Sequence, residues 1–130
     1  MERWLSKYSD ILYGIFRIVF GLLFACHGAQ KIFGMFGGVG VSLTPLLVAA
    51  GIIEFFGGVL IAFGLGAGYA AFIASGEMAV AYFMMHAPGG FWPIKNKGEL
   101  AVHYCFAFLY IASKGSGRLS IEALARKQRP

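Results

Sequence analysis

Four apolar stretches, at 11–33, 43–63, 67–86 and 99–113, fill almost the whole chain, and ionisable residues lie inside them rather than only between them. A hydrocarbon core about 30 Å thick calls for about 20 apolar residues per helix, so the first three stretches have spanning length and the fourth is short. The expected fold is all-α, an integral membrane four-helix bundle formed by one domain over 1–130, with a basic tail at 114–130. Arg17, His27, Glu54, Glu77, His86, Glu99 and His103 fall in or at the edges of the spans. A charge there costs at least about 2.5 kcal/mol unless it is paired or hydrated, so these positions are where function is to be sought.

With 58% hydrophobic and 13% charged residues the chain departs from a soluble domain, which carries roughly 25% charged residues. The net charge of +5 does not point to nucleic acid, because the basic residues flank the spans. Four spans put both termini on one side, with Arg3, Lys7, Lys114, Arg118, Arg126, Lys127 and Arg129, against Lys31, Lys95 and Lys97 on the other. The positive-inside rule makes both termini cytoplasmic. Leu23-Phe24-Ala25-Cys26 faintly resembles a lipoprotein cleavage site, but a long preceding region and three further spans argue against a cleaved signal peptide. Cys26 and Cys105 show no C-x-x-C or zinc spacing and are expected to be buried free thiols, with Cys26 pointing away from Arg17.

Small residues let helices approach closely in lipid. On the first helix Gly14, Arg17, Gly21, Phe24, Gly28 and Lys31 form one stripe; Ala50, Gly51, Glu54, Gly57 and Gly58 do so on the second, and Ala70, Ala74, Glu77 and Ala81 on the third. Each of these helices is thus expected to turn an ionisable residue toward a common interior. On the fourth, Glu99, His103, Phe106, Tyr110 and Ser113 share a face whose opposite side is apolar. Pro88, Gly89, Gly90, Trp92 and Pro93 break the chain between the last two spans and place an aromatic at the interface. A short surface helix is expected near 121–127, without chemistry of its own.

Counting depth along each helix brings Glu54 and Glu77 near the midplane, and the long side chain of Arg17 is expected to reach one of them. Two readings stand for this group: an ion pair that pins the bundle, or an acid–base pair serving a bound substrate. The carboxyl left without a cation should then be neutral. In the outer third His27, Lys31, Glu99 and His103, with His86 nearby, could deliver protons to a quinone carbonyl; they could equally bond one another around a hydrated vestibule. Haem ligation by two histidines is disfavoured, and no tight histidine spacing supports a metal. The methionines read as packing rather than copper ligands.

Arg17, the run His27-Gly28-Ala29-Gln30-Lys31-Ile32-Phe33-Gly34, then Ile53-Glu54-Phe55-Phe56-Gly57-Gly58 and Gly76-Glu77-Met78-Ala79 together resemble the DoxX family of small four-helix membrane proteins. His86, Gly90-Phe91-Trp92-Pro93, Asn96, Gly98-Glu99-Leu100 and Tyr104-Cys105 extend the match, while Gly66-Ala67 stands where many members carry Thr-Arg. The resemblance implies a multi-pass protein of the bacterial inner membrane. Relatives are described as a subunit of a thiosulfate:quinone oxidoreductase or as the membrane component of a complex handling oxidative and thiol stress. The expected function is a membrane subunit of an oxidoreductase system, binding quinone or another lipophilic redox molecule in a polar pocket open to the periplasmic side. His27, Glu99 and His103 are the candidate catalytic residues; Arg17, Lys31, Glu54, Glu77, His86, Trp92 and Tyr104 are candidates for ligand binding or a buried polar network. Expected partners are the lipid bilayer, other oxidoreductase subunits and a second copy of the chain. The competing reading is a membrane scaffold or small transporter whose buried charges are structural.

Overall fold

The computed structural model describes residues 1–129. A short helix α1 (Glu2–Leu5) leads into α2 (Ser9–Phe33), which is followed by α3 (Pro45–Phe63) and α4 (Ala67–Ala81). A π-helical turn, Tyr82–His86, continues α4; the short α5 (Pro93–Asn96) precedes α6 (Glu99–Lys114), and α7 (Ile121–Lys127) ends the fold. Helices α2, α3, α4 and α6 run up and down in turn as a four-helix bundle. Three segments, Glu2–Phe33, Pro45–Phe63 and Ala67–Gly89, are long and apolar enough to cross a membrane. At about 1.5 Å per residue the 16 residues of α6 span only about 24 Å, the short fourth helix that the sequence suggests.

Two kinds of seam hold the bundle. Along α2 and α3, Gly21 and Gly28 face Gly58 and Gly51, and the backbones come so close that a Cβ on Gly21 would stand 2.9 Å from Ala62 Cα. The small-residue stripes foreseen on these helices are therefore contact surfaces, apart from Gly57, whose Cβ would meet open space. Between α2 and α6 the filler is aromatic. Phe24 packs on Phe108 at 4.6 Å between ring centroids, Tyr104 stacks on Phe108 at 5.4 Å, and Phe16 and Tyr13 meet Tyr110. On the α4–α6 seam, Ser75 Oγ donates to the Cys105 carbonyl at 2.8 Å.

This aromatic seam corrects the reading of α6. Its buried face is Ala101, Tyr104, Phe108 and Ile111, while Glu99, His103, Phe106 and Ser113 lie on the outward side and Tyr110 sits at the edge, half exposed yet against Phe16 and Tyr13. Large aromatics on α6 fill the gap to Phe24 and Tyr13 of α2, which the smaller polar side chains could not do. Cys26 also faces outward, as its angle from Arg17 requires, and so is not the buried thiol expected; Cys105 is half-buried.

Candidate functional site

Arg17 is wholly buried, yet it meets neither glutamate. Its Nη1 donates to the carbonyls of Ile61 and of Ala62, the latter at 2.8 Å, and its Nη2 donates to the Leu119 carbonyl. The last carbonyls of a helix lack intrahelical partners and carry partial negative charge, so a guanidinium is well matched to the end of α3. Glu54 lies about 10 Å further along α3, beyond reach from this position, which overturns the expected Arg17–glutamate pair. Sequence reasoning also missed the tail's part. Gly64, held at φ +69°, caps α3, and a Cβ there would stand 3.0 Å from Ser120 Cα and 3.1 Å from Arg17 Nη1. Tyr13 hydroxyl donates to the Gly115 carbonyl, and the Gly66 amide donates to Glu122 Oε1 at 2.6 Å. Ser120, whose hydroxyl accepts from the Ala123 amide at 3.1 Å, was the available signal, because a serine three residues ahead of that amide is a helix N-cap.

The second charged cluster lies toward the opposite end. Lys31 Nζ donates to Glu54 Oε1 in an ion pair, with Glu54 2% exposed and Lys31 20% exposed. Glu54 Oε2 and Glu77 Oε2 are buried with no donor from the rest of the chain, and the two carboxyls stand within hydrogen-bonding reach of each other. Such orphaned polar atoms in a low-dielectric interior are costly and call for an explanation. A cavity of about 510 Å³ adjoins them, with Lys31, Glu54, Glu77, His27 and Tyr104 among its lining residues. Leu46, Leu47 and Ile53 of α3 and Val80, Met84 and Met85 of α4 and its π-helical turn wall it. Leu46, Met84 and Met85 are themselves exposed, so the cavity is open on the side where α3 and α4 diverge from their shared turn.

Of the residues singled out in the sequence, the structure brings Lys31, Glu54, Glu77, His27, His86 and Tyr104 to this one cavity. His27 meets Tyr104 edge to face at 5.9 Å. Glu99 and His103 do not join them, because they sit on the outward face of α6, and Arg17 belongs to the other cluster. Trp92 is exposed beside Phe91 in the loop after the π-helical turn. Among the described residues no group of three or more His, Cys, Asp or Glu is arranged to hold a metal ion.

A second hollow of about 600 Å³ lies by the tail. Its arginines are taken by exposed pairs, Arg118 with Asp10 and Arg126 with Glu122, each at 3.4 Å. It contains no orphaned buried oxygen among the described residues, so the chemistry points to the first cavity.

Apolar spanning helices around a buried charged cluster define a multi-pass helical membrane protein. The DoxX family model matches residues 12–87, more than half of the chain, and the chain belongs to the DoxX family. It is 41% identical over 125 residues to an uncharacterized protein of Haemophilus influenzae, covering 91% of this chain and 93% of that one. No solved structure matches.

Proposed function

We propose that this chain is the membrane subunit of an oxidoreductase system and binds a quinone or another lipophilic redox molecule in the cavity between α3 and α4. The carrying observation is the cavity's polarity gradient: apolar walls lead to a floor of Lys31, Glu54 and Glu77. Ligand sites are mostly apolar with a few convergent polar groups, and this is that pattern turned toward lipid. An isoprenoid tail would remain among Leu46, Met84 and the acyl chains while the head reaches the floor. There the Lys31 ammonium and the Tyr104 hydroxyl can donate to a carbonyl, and the two carboxyls can hold and pass protons. Membership of a family often linked to oxidoreductase functions supports the same reading.

The basic asymmetry supports cytoplasmic termini in a bacterial inner membrane, with the cavity nearer the periplasmic side and electrons supplied by partner subunits. A C-terminal reporter fusion active only in the periplasm would invert that topology. The functional test is equilibrium binding of a short-chain benzoquinone to the purified protein in lipid nanodiscs. Lys31→Met and Glu54→Gln should each weaken binding by about tenfold, the worth of one hydrogen bond to a charged group, in protein that remains folded. Absence of binding, or affinity untouched by both substitutions, would leave the scaffold or transporter reading in its place.

A further inference from the structure

We propose that the cavity binds the reduced, dihydroxy form of its redox ligand more tightly than the oxidised dicarbonyl form, and that His86 Nε2 is the group that discriminates between them. The inference rests on the reading of the cavity as a site for a lipophilic redox molecule, and it adds which form is preferred and why.

The π-helical turn Tyr82–His86 is a rare geometry often found where function needs a side chain re-aimed. Here it brings His86 to the cavity lining. His86 Nδ1 lies 3.2 Å from the backbone carbonyl oxygen of Asn96. A carbonyl oxygen only accepts, so Nδ1 must carry the hydrogen. In the neutral ring that leaves Nε2 without one, as an acceptor with a fixed lone pair.

The mount for this imidazole is rigid. Asn96 Nδ2 donates to the Gly90 carbonyl at 2.7 Å and to the Tyr82 hydroxyl at 3.1 Å; its Oδ1 accepts from the Gly98 amide at 2.9 Å. The Tyr82 hydroxyl in turn donates to the Phe91 carbonyl. Lys97 adopts φ +62°, a left-handed conformation costly for a residue with a side chain, in the turn that presents the Asn96 carbonyl. A Cβ on Gly98 would stand 2.9 Å from His86 Cβ, so the loop packs directly against the base of that side chain. Asn96 is thus a positioning residue.

The two poles of the cavity differ in what they accept. At the floor Lys31 can donate and the carboxyls can accept, so either redox form finds a partner there. At the rim His86 Nε2 only accepts. A ligand hydroxyl satisfies it; a ligand carbonyl sets two acceptors against each other. Lys97 at the same rim is exposed, and a hydrated ammonium gives a carbonyl little net gain.

The test titrates the full-length protein in nanodiscs with a short-chain benzoquinone and, anaerobically, with its chemically reduced hydroquinone, both at one mildly alkaline pH. The hydroquinone should bind about tenfold more tightly, one hydrogen bond's worth. His86→Leu should erase that preference, lowering hydroquinone affinity and relieving the clash with benzoquinone, and an unchanged helical circular dichroism spectrum reports that the variant is folded. Asn96→Ala should reduce the preference in part. Equal affinities in the wild type, or tighter benzoquinone binding, overturn the proposal while the cavity remains a quinone site, and so does a preference that survives in His86→Leu. Binding of neither form removes the proposal together with the reading it rests on. The wild-type ratio decides which form is preferred even where His86→Leu does not fold, and the partial loss expected in Asn96→Ala then carries the assignment to His86.

Discussion

Arg17 and Lys31 sit on one face of the same helix, about 21 Å apart, and the chain treats them oppositely. Arg17 is answered by backbone: its two terminal nitrogens meet three carbonyls from α3 and the tail, with no carboxylate among its partners and only the enclosed Nε left without one. Lys31 is answered by a carboxylate that still has a free oxygen, beside a second carboxylate with another, under an open cavity. Backbone carbonyls at a helix end cannot leave, titrate or be exchanged for a ligand, so the first arrangement is a clasp. The second is under-satisfied and accessible, which is the condition under which a bound molecule improves the hydrogen bonding rather than competing with it.

Breaking the clasp should have the largest structural effect. Arg17→Ala takes a donor from three carbonyls, of which that of Ile61 keeps the Gly64 amide at 3.2 Å, and leaves a void where the guanidinium was; it is expected to cost about 3 kcal/mol in detergent unfolding. Arg17→Lys should recover only part, since an ammonium is a point charge rather than a fork. The contrast with the other end can be sharpened by a cycle. Arg17→Ala combined with Glu54→Gln should be additive within about 0.5 kcal/mol, because the two sites share no partner. Strong coupling would restore the direct ion pair that the sequence suggests and erase the distinction between the ends.

At the second site the expected cost is smaller. Lys31→Met leaves the Glu54 carboxylate without its cation, but Lys31 is 20% exposed and water can replace part of what is lost. About 2 kcal/mol is expected, below the full penalty for stranding a buried charge. Lys31→Met with Glu54→Gln should cost less than the sum by about 1 kcal/mol. Additivity here would mean that Glu54 is held by something other than Lys31.

The difference between the ends also marks what could be read in the sequence. Helix periodicity placed Gly21, Gly28, Gly51 and Gly58 on contact faces, and the structure finds them there, because in lipid the close approach of backbones demands small residues at those positions. The same periodicity isolated a polar face on α6 but not its direction. Whether Glu99 and His103 or Tyr104 and Phe108 turn inward depends on the volume that α2 leaves to be filled, a property of two helices together. The cluster of Lys31, Glu54 and Glu77 was legible as inward charge, but its pairing was not, since carboxylates were the only acceptors the sequence displayed for Arg17. A backbone carbonyl has no letter. The Leu119 carbonyl and the carbonyls that end α3 are invisible until the tail is seen to fold back.

The smallest effect expected concerns that tail. Glu122 lies outside the spans, on α7, where its carboxylate accepts from the Gly66 amide and lies near Ser116 and Arg126. The Gly66 hydrogen bond first, then those of Ser116 and Arg126, hold its pKa below the ordinary carboxylate value. A carboxyl with a lowered folded-state pKa contributes stability that is fully present above its unfolded value, about 4.3, and is lost as pH falls through the folded value. Glu122 is 35% exposed, so solvent screening keeps the contribution below about 1 kcal/mol. Hydrogen exchange at the Gly66 amide should therefore accelerate as pH falls from about 5 toward 3, beyond the intrinsic pH dependence of exchange, and Glu122→Gln should remove that excess. Arg17 should hold Leu119 throughout, so 115–120 should stay protected while α7 loosens. If the whole tail is released together in acid, Glu122 rather than Arg17 is the principal fastening, and the clasp is no longer held by backbone carbonyls alone.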